Sequence, residues 1–280
     1  MLAHRQRLKV RLGDLPPTDV REALAVQRTR LISFLDSLDR DQWAERTVAP
    51  DWSVKDISLH LLDVDLSWIA RGRDHDRSGM IDVPADHEAF VLGLAERNQR
   101  WVNGTRNLSP RLIIDLLRWS GQELAGYLDS LDLSAASSVY WAGDVPLWFD
   151  LAREFTERWV HERQMREAVL DVTDRSGDEH IGLVLRTFIW AFPHQYRADA
   201  KTGTVVALEV VSVGTWRLTK TEDGWTLDEG QTARPAAALR MSGDAAWRLL
   251  TGADYDPSQV ELSGNRELAE ALTKVRSVIV

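Results

Sequence analysis

The chain has 280 residues and a mass of 31.7 kDa, enough for one large domain or two medium ones, each with a real core. Its formal net charge of −9, from 34 Lys plus Arg against 43 Asp plus Glu, repels phosphate backbones and argues against a nucleic-acid partner. Cysteine is absent, which excludes disulfides, cysteine-ligated zinc and a thiol nucleophile of the protein's own, so any sulfur chemistry must arrive with a substrate.

In chain order, the basic opening "HRQRLKVRL" is followed by no apolar region of secretory length and reads as a solvated arm. No run of about 18 apolar residues offers a membrane span, and the expectation is a cytoplasmic protein. Up to residue 172 the pattern is helical. Asp19 can cap "VREALAVQRTRLISFLDSL", Ser53 can cap "VKDISLHLLDVDLSWIARG", and Ser109 with Pro110 opens "RLIIDLLRWSGQELAGYLDSL". A fourth long helix begins near Pro146 and runs through "LWFDLAREFTERWVHERQMREAVL", with extra helical material around residues 86–108. Four such amphipathic elements predict a four-helix bundle.

The polar stretch "DVTDRSGD", residues 171–178, reads as a linker and divides the chain into domains 1–172 and 173–280. Beyond it, "EHIGLVLRTFIWAFPHQYR" predicts one more helix, and "GTVVALEVV", "GTWRLTKT" and "GWTLDEG" predict short strands joined by Gly-containing turns. "SGDAAWRLLTG" returns to helix, with Ser242 as cap and Gly252 as stop, and "SQVELSG" offers a last strand. That order fits a small α+β domain with helices on one face of a sheet, making the whole chain an α+β protein.

Candidate site residues lie on the bundle helices. In "EFTERWVHERQM", residues 154–165, Glu157 and His161 stand four apart, about 40° on the helical wheel, and can address one point in space. His161 sits between an apolar stripe of Leu147, Leu151, Met165 and Val169 and a polar flank of Asp150, Glu154, Glu157 and Gln164. His60 occupies an equivalent border on the second helix, between Ile57, Leu61 and Val64 on one side and Asp56, Asp63 and Ser67 on the other. Two such borders facing each other build a polar pocket between helices, where bundle metal sites lie. Spacing alone leaves open an exposed Glu/His pair and a hydrogen-bonded core histidine. His180 and His194, flanking a helix of the second half, read as structural or exposed.

"WAERTVAPDWSVKDISLHLLDVD" resembles the second-helix signature of the DinB and mycothiol-dependent maleylpyruvate isomerase superfamily, in which a Trp, a Pro-x-Trp-[Ser/Thr]-Val-[Lys/Arg]-Asp run and a His follow in this order. "REFTERWVHERQMREAV" resembles the last bundle helix of that superfamily, where Glu-x-x-x-His supplies two more ligands. The resemblance implies a DinB-like bundle with His60, Glu157 and His161 as metal ligands. "ALRMSGDAAWRLLTG" more loosely resembles the sterol-carrier-like C-terminal domain of the mycothiol-dependent branch. Isomerase-like members commonly carry Asp three residues after the metal-binding His, where this chain has Gln164, and Arg where it has Ala253.

Two imidazoles and one carboxylate leave a fourth position open on a divalent ion such as zinc, the arrangement of a catalytic rather than a structural site. Iron, nickel or manganese suits the same donor set. Coordination deprotonates a thiol whose free pKa is near 8.5. The expectation is therefore a metal-dependent transferase or isomerase using a low-molecular-weight thiol such as mycothiol against a small electrophile, as monomer or homodimer. Glu154, one turn before the ligand pair, is the candidate base, or a group that supports the ligands from behind. The alternatives are a metal-dependent hydrolase of a thiol conjugate and a non-catalytic ligand-binding or stress module.

Overall fold

The computed structural model describes residues 17–49, 51–80, 87–139, 143–170 and 178–277. The basic arm, and all but Asp178 of the expected linker, lie outside these residues. The described chain forms two compact units, one of Asp19–Ala135 and Leu151–His180, the other built from Ala136–Asp150 and Ile181–Val280.

The first unit is the helical one. Its elements are α1 (Arg21–Asp36), the short α2 (Arg40–Ala44), α3 (Val54–Trp68), α4 (His87–Thr105), α5 (Pro110–Asp129) and, from Leu151 onward, α6 (Leu147–Val169). The expected long helices are all present, and residues 86–108 prove to hold a full helix, α4. Local chemistry sets their starts. Ser53 accepts the N–H of Asp56, whose carboxylate returns a bond to the Ser53 N–H, a capping box that satisfies two orphan donors of α3. Ser109 accepts the Leu112 N–H ahead of Pro110 on α5. Asp19 lies one residue further out than expected: Val20 is the N-cap of α1, and Asp19 takes the Arg21 N–H and guanidinium instead.

Leu31 and Leu35 of α1, Ile57 and Leu61 of α3, Val102 of α4, Ile113 and Leu117 of α5 and Met165 of α6 meet in one core. Each such aliphatic burial contributes about 1.5–3 kcal/mol. The flank expected to be polar on α6 is largely buried: Asp150, Glu154 and Gln164 are buried and Glu157 is partly open, and Arg158, Glu162 and Arg163 of the same helix are buried as well. A helix buried on nearly every side carries these groups because each charge meets an opposite one.

The second unit opens with a hairpin the sequence did not announce, β1 (Ala136–Val139) against β2 (Gly143–Pro146). The helix expected over 179–197 is broken into α7 (Ile181–Ile189) and α8 (Phe192–Gln195), because Pro193 lacks the N–H that a continuous helix needs. Strands β3 (Val205–Val210), β4 (Gly214–Thr221), β5 (Gly224–Glu229), β6 (Ala237–Met241) and β7 (Val260–Gly264) form a sheet in the order β5-β4-β3-β6-β7. Only β3 and β6 run parallel. Between β6 and β7 lies α9 (Gly243–Thr251), capped by Ser242 and stopped by Gly252 at φ 79°, as its sequence predicts. β6 and the last helix, α10 (Arg266–Leu272), are additions to the sequence reading. Alternate residues of β3 are buried, with Val206, Leu208 and Val210 facing inward, so one face of the sheet carries the core. Among the described residues no helix is long and apolar enough to cross a membrane.

Candidate metal centre

Three side chains expected to meet do so. Glu157 and His161, one turn apart on α6, face His60 of α3. The Glu157 Oε1 lies 3.4 Å from His161 Nε2 and 3.6 Å from His60 Nε2. One donor atom from each residue falls within 4.8 Å of the others, and among the described residues no other such cluster of His, Asp and Glu exists. Four ligands at 2.0–2.2 Å from a tetrahedral zinc stand about 3.4 Å from one another, so the two shorter edges already match a ligand set. His60 and His161 are 3% and 5% exposed, while Glu157 is partly open, so the cluster is sheltered on its imidazole side.

Protonation favours donors. Burial pushes the His60 imidazole to a lower pKa, beyond what neighbouring Glu157 offsets, and keeps the ring neutral at pH 7. Burial alone would raise the Glu157 carboxyl, but the two imidazoles, His161 first, outweigh it and hold the group well below the ordinary carboxylate range. Neutral imidazole and ionised carboxylate are the ligand forms.

The surroundings of the two histidines differ. His161 Nδ1 is 2.8 Å from Gln164 Oε1; an amide oxygen can only accept, so Nδ1 is the donor in this contact and Nε2 is the nitrogen that faces the cluster. His60 Nδ1 is buried and has no hydrogen-bond partner among the described residues. Neither acid on the polar side of His60 bonds to its ring. Asp56 closes the capping box and pairs with Arg106, and Asp63 is taken by Arg97.

Glu154 is not part of the cluster. One carboxylate oxygen meets Arg153 and the other Arg158 at 3.1 Å. Burial would raise its pKa, yet Arg153, Arg158 and Arg71 together hold it low, the opposite of what a base working near neutrality requires. Arg158 continues to Asp65, which is fully buried and also accepts from Arg28 and Ser120, so a charged network ties α1, α3, α5 and α6 beneath the site. Neither His180, packed edge-on against Phe155, nor half-buried His194 joins the cluster.

Trp52 is the group sequence reasoning passed over. Its ring centroid lies 5.0 Å from that of His60 and 6.2 Å from that of His161. The signal was present, since Trp52 sits in the quoted "PDWSVKD" run, but nothing local shows that an indole before a helix folds back over a residue two turns inside it.

A family profile described as the mycothiol maleylpyruvate isomerase N-terminal domain matches residues 24–166, just over half of the chain. No curated protein sequence matches. Two crystal structures resemble the fold: the mycothiol-dependent maleylpyruvate isomerase, at 15% identity and a TM-score of 0.55, and a histidine-to-alanine mutant of it, at 14% and 0.56. Each alignment covers 91% of this chain and 95% of the other.

Proposed function

From the premise that this chain belongs to the mycothiol maleylpyruvate isomerase N-terminal domain family, we propose that it is a metal-dependent, thiol-using transferase or isomerase with His60, Glu157 and His161 as the metal ligands. One observation carries the reading: two imidazoles and a carboxylate from helices about 100 residues apart in sequence converge at ligand spacing in a mostly buried setting. A divalent ion held there, zinc in this reading, supplies Lewis-acid chemistry that lets a low-molecular-weight thiol such as mycothiol ionise and react with a small electrophile at neutral pH.

The chain's own residues do the rest. Gln164 fixes the His161 tautomer. Glu157, the most open of the three, marks the side from which substrate reaches the cluster. Glu154 is a positioning residue that holds Arg158 in place, and through it Asp65 of the facing helix. With no cysteine in the chain, the reacting sulfur belongs to the cosubstrate, and the reaction belongs in a reducing, cytoplasmic setting.

The test is metal analysis of the purified protein followed by turnover of maleylpyruvate and generic electrophiles with and without mycothiol. Stoichiometric metal and thiol-dependent turnover, both lost in His60→Ala, are expected. Turnover that needs metal but no thiol would replace this reading with the hydrolase, and a metal-free wild-type protein would remove the metal reading.

A further inference from the structure

The two histidine ligands are held by different means, and the difference isolates a residue whose work the cluster itself does not reveal. His161 has a hydrogen-bonded partner on Nδ1. His60 has none among the described residues, although a His that offers Nε2 to a metal must carry its proton on Nδ1, and a buried donor without an acceptor is costly. What lies against the His60 ring instead is aromatic: Trp52 at 5.0 Å with planes at 42°, and His161 at 4.9 Å with planes at 79°.

Trp52 is itself fixed. Its Nε1–H donates to Gln99 Oε1 on α4 at 2.9 Å, and the Gln99 amide nitrogen donates to Asn103 Oδ1 one turn on, also at 2.9 Å. Its carbonyl accepts from both the N–H and the hydroxyl of Thr47, and its own N–H reaches Ala49 O. The preceding Asp51 adopts φ 64°, a left-handed conformation that Asp tolerates better than most residues. An indole anchored at both backbone and ring is a rigid wall.

We propose that Trp52, clamped to α4 by Gln99, is the positioning residue of the His60 ligand: the indole packed against its ring holds the ring in place where no hydrogen bond on Nδ1 does. This rests on the metal-ligand reading of the cluster and adds to it that α4, which supplies no ligand, sets the metal affinity through Gln99.

The experiment compares wild type, Trp52→Phe, Trp52→Leu and Gln99→Leu, measuring Zn2+ affinity by competition with a chromogenic chelator, the visible spectrum of the Co2+ form, and the melting of the metal-free protein. Trp52→Leu should weaken Zn2+ binding by about 10- to 100-fold, the range for groups that orient metal-binding histidines. Trp52→Phe, which keeps a π face but loses the Gln99 bond, should lie between Trp52→Leu and wild type. Gln99→Leu should lower affinity by up to about 10-fold and alter the Co2+ spectrum with no change in metal-free melting, which a purely structural role would not produce. Wild-type affinity in both Trp52→Leu and Gln99→Leu overturns the proposal while leaving the metal site standing; absence of metal binding by wild type overturns both. If Trp52→Leu does not fold, Gln99→Leu decides alone.

Discussion

The two units bury different kinds of residue. In the sheet unit, described residues 181–277 bury Leu, Val, Ala and aromatic side chains, and their only buried polar groups are Thr187, Thr251 and Ser277. The helical unit buries Asp56, His60, Asp63, Asp65, Arg158, His161, Glu162 and Arg163 among its apolar core. An apolar core is the economical way to gain stability, since even a well-paired buried ion pair is often matched by a hydrophobic replacement. Charges concentrated inside one unit, where the other buries only Asp150 beside its hairpin, mark where geometry rather than stability is being maintained, and the histidine cluster lies among them.

The widest separation between the units comes from His161→Ala. Removal of one nitrogen donor should lower metal affinity by more than about 100-fold, beyond the effect of any group that only orients a ligand. Ala is the stronger helix former, so far-ultraviolet circular dichroism should be unchanged. Full metal content in this variant would reduce the pair to packing; unfolding of it, but not of metal-stripped wild type, would make His161 a core histidine.

The second comparison sets Asp65→Ala against Leu239→Ala. Asp65 is fully buried and holds Arg28, Arg158 and Ser120, so its loss strands two cations and should cost about 3–5 kcal/mol. Leu239, fully buried on β6, should cost about 2–5 kcal/mol through the cavity it leaves. Denaturant melts would show comparable losses, but only Asp65→Ala should also lower metal affinity. Equal effects of both on the metal would dissolve the distinction between the units.

How much of this was legible follows the same division. Caps at Ser53, Ser109 and Ser242 were readable because capping is a contact within three residues. Glu157 with His161 was readable from helix geometry, and His60 through the superfamily signature. The buried charges of α6 were not: Arg158 meets Asp65 from 93 residues away and Glu162 meets Arg30 from 132, and periodicity within one helix shows no partner at that distance. Trp52 was quoted as part of a signature but given no contact, because its partners His60, His161 and Gln99 come from three different helices. In the sheet unit, β6 is only five residues long with Arg240 exposed, too short for its alternation to stand out.

Acid should separate the units more gently. In the helical unit, burial tends to raise the carboxyls of Asp56 and Glu154, but Arg106 with Ser53 and Arg153 with Arg158 outweigh it and lower both. A carboxyl lowered on folding adds stability that is fully present above its unfolded pKa, near 4, and is lost as pH falls through the folded value. The lowered His60 acts in the same direction, its contribution shrinking as pH drops below about 6.5, where the unfolded imidazole binds a proton and the folded one does not. Stability of the metal-free helical unit, followed by hydrogen exchange of α3 amides, should therefore fall between pH 7 and pH 4 and more steeply below it. A pH-independent α3 would show that these groups are equally shifted in the unfolded chain.

The smallest expected effect is the finest discriminator, because it compares two caps of the same chemistry. Ser53 accepts from Asp56 N–H at the start of α3, and Ser242 from Ala245 N–H at the start of α9. Each Ser→Ala change should cost about 1 kcal/mol, visible as a small shift in denaturant midpoint. Their consequences for the site should part. Ser53 follows Trp52 directly and fixes the first turn of α3, so its loss loosens the joint between the indole and His60 seven residues on. Ser242 supports a helix of the other unit. Ser53→Ala should therefore weaken Zn2+ binding by a few-fold, within about 10-fold, whereas Ser242→Ala should leave it unchanged at the same cost in stability. If both caps leave metal affinity untouched, the first turn of α3 contributes only stability, and the orientation of His60 is set entirely by the contacts further along the helix.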